Sequence, residues 1–159
     1  MAPFENVLAL CALTASAVAV AVVLGTDVFF TVVGRVGLAR TSVPSMLETM
    51  GHLHEVADRR MPIFGVVGIV GSLVALLFDA GSRVATGTAV TAQLVWLAIY
   101  LARAKPVNAK MADAVRKGLA PADARQWQSR WESVLIPRSL LMTVALLALL
   151  LAIRTSGVH

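Results

Sequence analysis

The chain has 159 residues, of which 58% are hydrophobic and only 14% charged, with a mean hydropathy of +0.79. That composition leaves too little polar surface to coat a water-soluble domain of this size. The formal charge of +5 and pI near 10.4 raise nucleic acid as a partner, but the basic residues are not interleaved with exposed aromatics on a soluble module, so none is expected.

Four apolar runs, Val7 to Val33, Met61 to Phe78, Thr86 to Ala102 and Val134 to Ile153, punctuate the sequence. Each is close to the roughly 20 residues with which a helix crosses hydrocarbon. The expected fold is therefore an all-α membrane protein, a single four-transmembrane-helix bundle over residues 1–159 with cytoplasmic helical extensions. Of the 14 Lys and Arg, all but Arg83 and Arg154 fall between runs one and two or between three and the start of four. The positive-inside rule then puts both long connections in the cytoplasm of a cell-membrane protein and both termini on the opposite side.

Met1 to Asn6 lacks the positive residues of a signal peptide, and the first run outlasts a signal h-region, so a retained helix is expected. Cys11, the one cysteine, lies inside it as a packing or lipid-facing residue and makes no disulfide framework. Gly34, Gly37 and Pro44 mark Arg35 to Pro44 as a connecting segment. Ser45, with Glu48 three residues later, has the spacing of a cap for a second helix that runs through Met46 to Arg60 into the second span, with a kink at Pro62. Asp79 to Arg83 reads as a tight external turn. Trp96 and Tyr100, near the end of the third run, suit a membrane interface. Ala109 to Arg130 is polar and reads as two helical pieces divided at Gly118 to Pro121.

Residues able to do chemistry collect at the cytoplasmic end. In Gly51-His-Leu-His-Glu-Val-Ala-Asp58 the two imidazoles cannot share a helix face, because residues two apart are about 200° apart around the axis. Either His52 with Glu48 and Glu55, or His54 with Asp58, looks inward. Continuing the helix favours the second pair: His54, Asp58, Met61, Gly65, Gly68 and Ser72 form one stripe whose small residues suit close packing, while His52 leads to Glu55, Arg59, Val66 and Val70. His54 and Asp58 are candidate metal ligands or bases, although iron, copper or zinc needs more donors, for which Asp27, Asn108, Glu132 or a second chain are candidates. Asp27 stands out because a carboxylate in an apolar run is costly and usually faces protein or a cavity.

The segment Lys105-Pro-Val-Asn108, followed by a polar helix and then Trp131-Glu132 and Arg138, resembles the anthrone oxygenase-like membrane family (DUF1772). Its pattern is Pro-x-Asn after the third helix and Trp-x-x-x-His-x-x-Arg entering the fourth. Gly25 to Phe30 and His54 to Pro62 resemble its first-half segments, so the likeness runs over nearly the whole chain. One departure matters: the family's frequent His falls on Leu135, and Pro137 immediately precedes Arg138.

The resemblance implies a membrane oxidoreductase or oxygenase acting on a small hydrophobic, aromatic polyketide-like molecule, with dioxygen as co-substrate and iron or copper, or no cofactor. His54 or Asp58 then serves as base or metal ligand, with Glu132 as a further ligand and His52 and Glu55 as alternative ligands. Asn108 and Arg138 place an oxyanion, and Asp27 and Trp131 contact substrate. Plainer roles exist for each: a helix cap for Asn108, snorkelling for Arg138, an interface anchor for Trp131 and a helix-end hydrogen bond for Asp27. A homo-oligomer formed through small-residue faces is expected. The other function classes are an oligomeric small-solute transporter or channel subunit, and a scaffold that uses Gly65, Gly68 and Gly71 only for packing. Walker, Rossmann and Gly-x-Ser-x-Gly patterns are absent.

Overall fold

Backbone amides and carbonyls in hydrocarbon must be satisfied within their own segment, and the apolar runs do so as helices. A computed structural model describes residues 3–79 and 81–156, among which every regular element is helical. In chain order these are α1 (Pro3–Phe29), a π turn (Phe30–Gly34), α2 (Arg35–Ala39), α3 (Val43–Arg60), α4 (Pro62–Phe78), α5 (Arg83–Ile99), a second π turn (Tyr100–Ala104), α6 (Lys105–Arg116), α7 (Ala124–Glu132) and α8 (Leu135–Ser156).

They join into four rods, Phe4–Ala39, Val43–Phe78, Arg83–Arg116 and Ala124–Ser156, each containing a stretch long and apolar enough to cross a membrane. A rod of 33 to 36 residues is about 50 Å long at 1.5 Å per residue, well beyond the hydrocarbon thickness. The excess length builds a second, more polar end. In the apolar part α1 packs on α4 and α8, and α5 on the same two helices, closing a four-membered ring around Leu13, Val20, Trp96, Met142 and Leu149. In the extension α3 packs on α6, and Met46, Met50, Met111, Trp131 and Leu135 form a separate core.

Small residues set the closest approaches. A Cβ added at Gly71 would lie 2.7 Å from the Ala12 carbonyl oxygen, and one at Gly51 would lie 2.4 Å from Val115 Cγ2. Beside Gly68 and Gly71, Ser16 Oγ donates to the Gly68 carbonyl (2.6 Å) and lies 2.7 Å from Ser72 Oγ, which accepts from Gln93 Nε2 at 2.8 Å. α1, α4 and α5 are thereby joined by satisfied polar groups. Gly68 and Gly71 are thus occupied within the chain, so they do not supply a free face for an oligomer.

Several local expectations change. Gly34 and Gly37 do not break the first rod, because no turn chemistry follows until Thr41 and the π turn carries the helix past Gly34. The cap of α3 is Ser42, not Ser45: its side chain accepts from Ser45 N, and Pro44 occupies the first turn, where a missing N–H costs nothing. At Pro62 α3 and α4 join as one rod, but the proline has no N–H for the Asp58 carbonyl, and the ladder resumes with a long Gly65 N to Met61 O bond of 3.4 Å. The expected stripe holds: His54, Gly68 and Ser72 are buried, while His52, Val66 and Val70 are exposed. Gly118, at φ 64, ends α6 within the expected break between the polar helices. Arg125 then ties α7 to the end of the first rod by donating to the Leu38 and Thr41 carbonyls. At the opposite end of the bundle Asp79 accepts from Gly81 N at 2.9 Å and from Ser156 Oγ, in the expected turn, of which Ala80 lies outside the described residues.

Gly71→Ala should force α1 and α4 apart and destabilise the detergent-solubilised protein by about 1–3 kcal/mol. Gly25→Ala, with nothing within 4 Å of the new methyl, should leave thermal stability unchanged or raised. Equal melting temperatures for the two variants would contradict this packing.

Candidate functional site

Three rods converge on Asp27 of α1, which is 2% exposed. An unpaired carboxylate there would be costly, and two donors from different helices offset that cost. Arg138 Nη2 of α8 donates to Asp27 Oδ1 at 2.7 Å, and Trp96 Nε1 of α5 donates to Oδ2 at 3.1 Å. The guanidinium carbon also lies 5.3 Å from the Trp96 ring centre and 5.8 Å from that of Tyr100, and the two rings stack with 5° between their planes. Aromatic faces attract a cation in this geometry. Arg138 therefore turns into the bundle rather than snorkelling, and Trp96 and Tyr100 are site residues rather than interface anchors.

A second carboxylate is held one step further along. Tyr100 Oη donates to Asp58 Oδ1 at 2.7 Å, and Asn108 Nδ2 donates to the same oxygen at 2.8 Å. The π turn at Tyr100–Ala104 makes this pairing possible. Four residues of α-helix overshoot a turn by about 40°, so twelve would carry Asn108 about 120° from Trp96. A wider π turn takes back part of that drift and returns Asn108 toward the face that carries Tyr100.

His54 is buried against Trp131, ring centres 5.1 Å apart, and Trp131 meets Phe30 edge to face at 5.2 Å. Asp27, His54, Asp58, Asn108, Trp131 and Arg138 all line one cavity of about 420 Å³. Its remaining walls are mainly apolar and include Val23, Phe30, Leu53, Val66, Ile69 and Leu97. That volume falls in the range of small-molecule sites. Among the described residues, four of the side chains that line it each carry a buried atom with no hydrogen-bond partner in the protein: His54 Nε2, Asn108 Oδ1, Trp131 Nε1 and Arg138 Nε. Buried polar atoms are rarely left unpaired, and these four belong to side chains of one cavity.

The other expected residues lie elsewhere. Glu132 accepts from Gln128 Nε2 at 2.8 Å and does not line the cavity. His52 is exposed, and Glu55 pairs with Arg59 at 3.1 Å. Leu135, at the position of the resembled family's His, is buried in the extension's core and is not a wall residue. Among the described residues no three His, Cys, Asp or Glu side chains are grouped to hold a metal ion. Among the described residues, His54 and Asp58 alone are fewer protein ligands than iron or copper ordinarily takes. Trp96 and Tyr100 are the site residues sequence reasoning misplaced; their i, i+4 spacing one and two turns before Lys105 was the available signal.

The chain matches no family model, no curated protein and no solved structure.

Asp27→Asn should leave Arg138 buried without its counter-charge and cost about 3–5 kcal/mol, whereas removing both charges in Asp27→Asn, Arg138→Gln should cost less than that single change. Thermal unfolding of the variants in one detergent tests the coupling; additive losses would show that the pair does not act as a unit.

Proposed function

We propose that the protein is a membrane oxidoreductase or oxygenase that acts on a small hydrophobic aromatic molecule carrying an activated methylene. The observation that supports this reading is the cavity itself, where an imidazole, a carboxylate and a guanidinium converge with unpartnered polar atoms inside apolar walls. Resemblance to the anthrone oxygenase-like proteins supplies the reaction class.

The residues divide the work as follows. Asp58 Oδ1 is already occupied by two hydrogen bonds, whereas His54 Nε2 has no protein partner. His54 takes the proton from the methylene carbon, and the carbon's electron pair moves onto the adjoining carbonyl oxygen. Asp58, one turn along, offsets the positive charge that the imidazole acquires. Arg138 Nε and Trp131 Nε1 are the free donors for the new oxyanion. Asn108 uses its amide nitrogen on Asp58, so it positions that carboxylate. Dioxygen adds to the carbanion, one of its oxygens remains as a new carbonyl, and the other leaves as water with the two hydrogens of the methylene. No step is routed through a metal, for which the walls lack a ligand set.

Sidedness follows from charge. We assign the α2–α3 and α6–α7 connections to the cytoplasm, because nearly all Lys and Arg flank them. In a Cys11→Ala background, a membrane-impermeant maleimide applied to intact cells should label Gly81→Cys and spare Leu119→Cys; the reverse pattern would invert the topology.

Oxygen uptake by the purified protein with an anthrone as substrate tests the chemistry. His54→Ala should lower kcat by about 10²- to 10⁴-fold, with a smaller loss for Asp58→Asn. No uptake above buffer by the unaltered protein, or full activity in His54→Ala, sinks this assignment.

A further inference from the structure

The cavity is not uniform, and its unevenness bears on how it is filled. Its polar walls are deeply buried: Asp27, His54, Asn108 and Arg138 are each less than a tenth exposed, alongside Val23, Trp96 and Trp131. Its exposed wall comes from the second rod alone, where Leu53, Val56 and Val66 are 47%, 49% and 60% exposed, joined by Arg60 and Pro62. Beyond the rim the surface stays apolar, with Ile63, Val67 and Val70 exposed on α4. On a rod long and apolar enough to cross a membrane, such a surface faces acyl chains rather than water. The exposed wall straddles Pro62, where the α3–α4 ladder is interrupted, and runs on into that apolar face of α4.

Charge narrows what can pass. Arg138 neutralises Asp27, while Asp58 is held by two uncharged donors, Tyr100 and Asn108. With His54 neutral, the polar floor carries one excess negative charge. An anion would meet that charge after leaving water for hydrocarbon, and both steps oppose it. A neutral molecule with a hydroxyl or enolisable carbonyl meets neither barrier, and it supplies the donor and acceptor that the floor's unpartnered atoms require.

We propose that the cavity is loaded laterally from the bilayer with a neutral, flat, ring-bearing amphiphile, whose apolar body lies against Val66 and Ile69 and whose hydroxyl or carbonyl reaches His54 and Arg138. Proton removal then takes place inside the site, so charge is separated over a short distance rather than imported. This inference rests on reading the cavity as a ligand site, and its test separates the two.

The probes are 2-naphthol, neutral at pH 7, and 2-naphthoate, its anionic counterpart, added to the protein in phospholipid nanodiscs. Tryptophan quenching is read in a Trp127→Phe background, because Trp96 and Trp131 line the cavity whereas Trp127 bonds to Asp123 outside it. Saturable quenching by 2-naphthol and not by 2-naphthoate is expected, with an association rate that follows the mole fraction of naphthol in the bilayer as lipid is varied. Narrowing the mouth by Leu53→Phe, Val56→Phe should slow association about ten-fold with little change in the equilibrium level, because the residues that contact the ligand are untouched. Asp58→Asn, which removes the excess negative charge, should instead relax the discrimination against 2-naphthoate without slowing association of 2-naphthol. A rate that follows the aqueous concentration and ignores the mouth variant overturns lateral loading while leaving the ligand site intact. Preference for 2-naphthoate overturns the neutral ligand, and saturable quenching by neither probe removes the ligand site itself.

Discussion

The Asp27–Arg138 ion pair is the constraint on which the rest of this architecture rests. Each group alone would be intolerable in an apolar bundle; together, 2.7 Å apart and almost fully buried, they satisfy one another only if α1 and α8 hold a fixed rotation and depth. Trp96 extends the requirement to α5 by taking the second carboxylate oxygen. The guanidinium in turn lies against both Trp96 and Tyr100, and Tyr100 reaches Asp58 on the second rod. All four rods are registered against one another through a single connected set of polar contacts. Apolar packing between lipid-exposed helices has no comparable power to fix register, since lipid competes for the same surfaces. A well-packed apolar substitute could be as stable, but it would not place a carboxylate, an imidazole and a guanidinium around one space.

Both π turns sit at that space. One follows Asp27 and begins at Phe30, which meets Trp131; the other begins at Tyr100. Each accommodates one extra residue per turn, and each shifts the phase of the helix beyond it. The consequence is a division of labour along a rod: before the π turn the helix follows the four-helix ring, and after it the helix follows α3, α6 and α7 in the extension. The cavity lies at the junction of these two packing arrangements, where helices that must satisfy both leave a gap. Room for a ligand is thus a product of the geometry that joins the two cores.

How much of this was legible depended on whether the signal was local. Four apolar runs in a short chain gave the fold class directly, because hydrocarbon leaves few alternatives. Asp27 showed itself as a charge in such a run, and the inward choice of His54 and Asp58 over His52 and Glu55 followed from helical phase, which survived Pro62. Asn108, Trp131 and Arg138 were singled out by their resemblance to the anthrone oxygenase-like pattern. Three things were hidden. The π turns have no marker in the residues that form them, so the first rod's passage through Gly34 and Gly37 was missed. Trp96 and Tyr100 have the composition of an interface belt, and only the partner carboxylates on other helices reveal their inward roles. Glu132 follows Trp131 in sequence yet turns to Gln128, since neighbours one apart on a helix point about 100° apart.

Leu135 shows why the division between site and support matters. It lies one turn beyond Trp131 and one turn before Arg138, between two cavity residues in sequence, yet its side chain is 1% exposed in the extension's core. It shares that core with Met46, Met50 and Ala104, whose side chains are apolar. Leucine packs there and keeps α8 docked, so that Arg138 stays on Asp27. The imidazole available to the cavity is then His54, on a different rod from the guanidinium. The imidazole and the guanidinium consequently come from elements held by separate contacts: His54 by Trp131 and the α3–α6 core, Arg138 by Asp27 and the aromatic pair. Pro62, where the α3–α4 ladder is interrupted, itself lines the cavity, which makes that break part of the site's geometry and not only a feature of the helix that carries it.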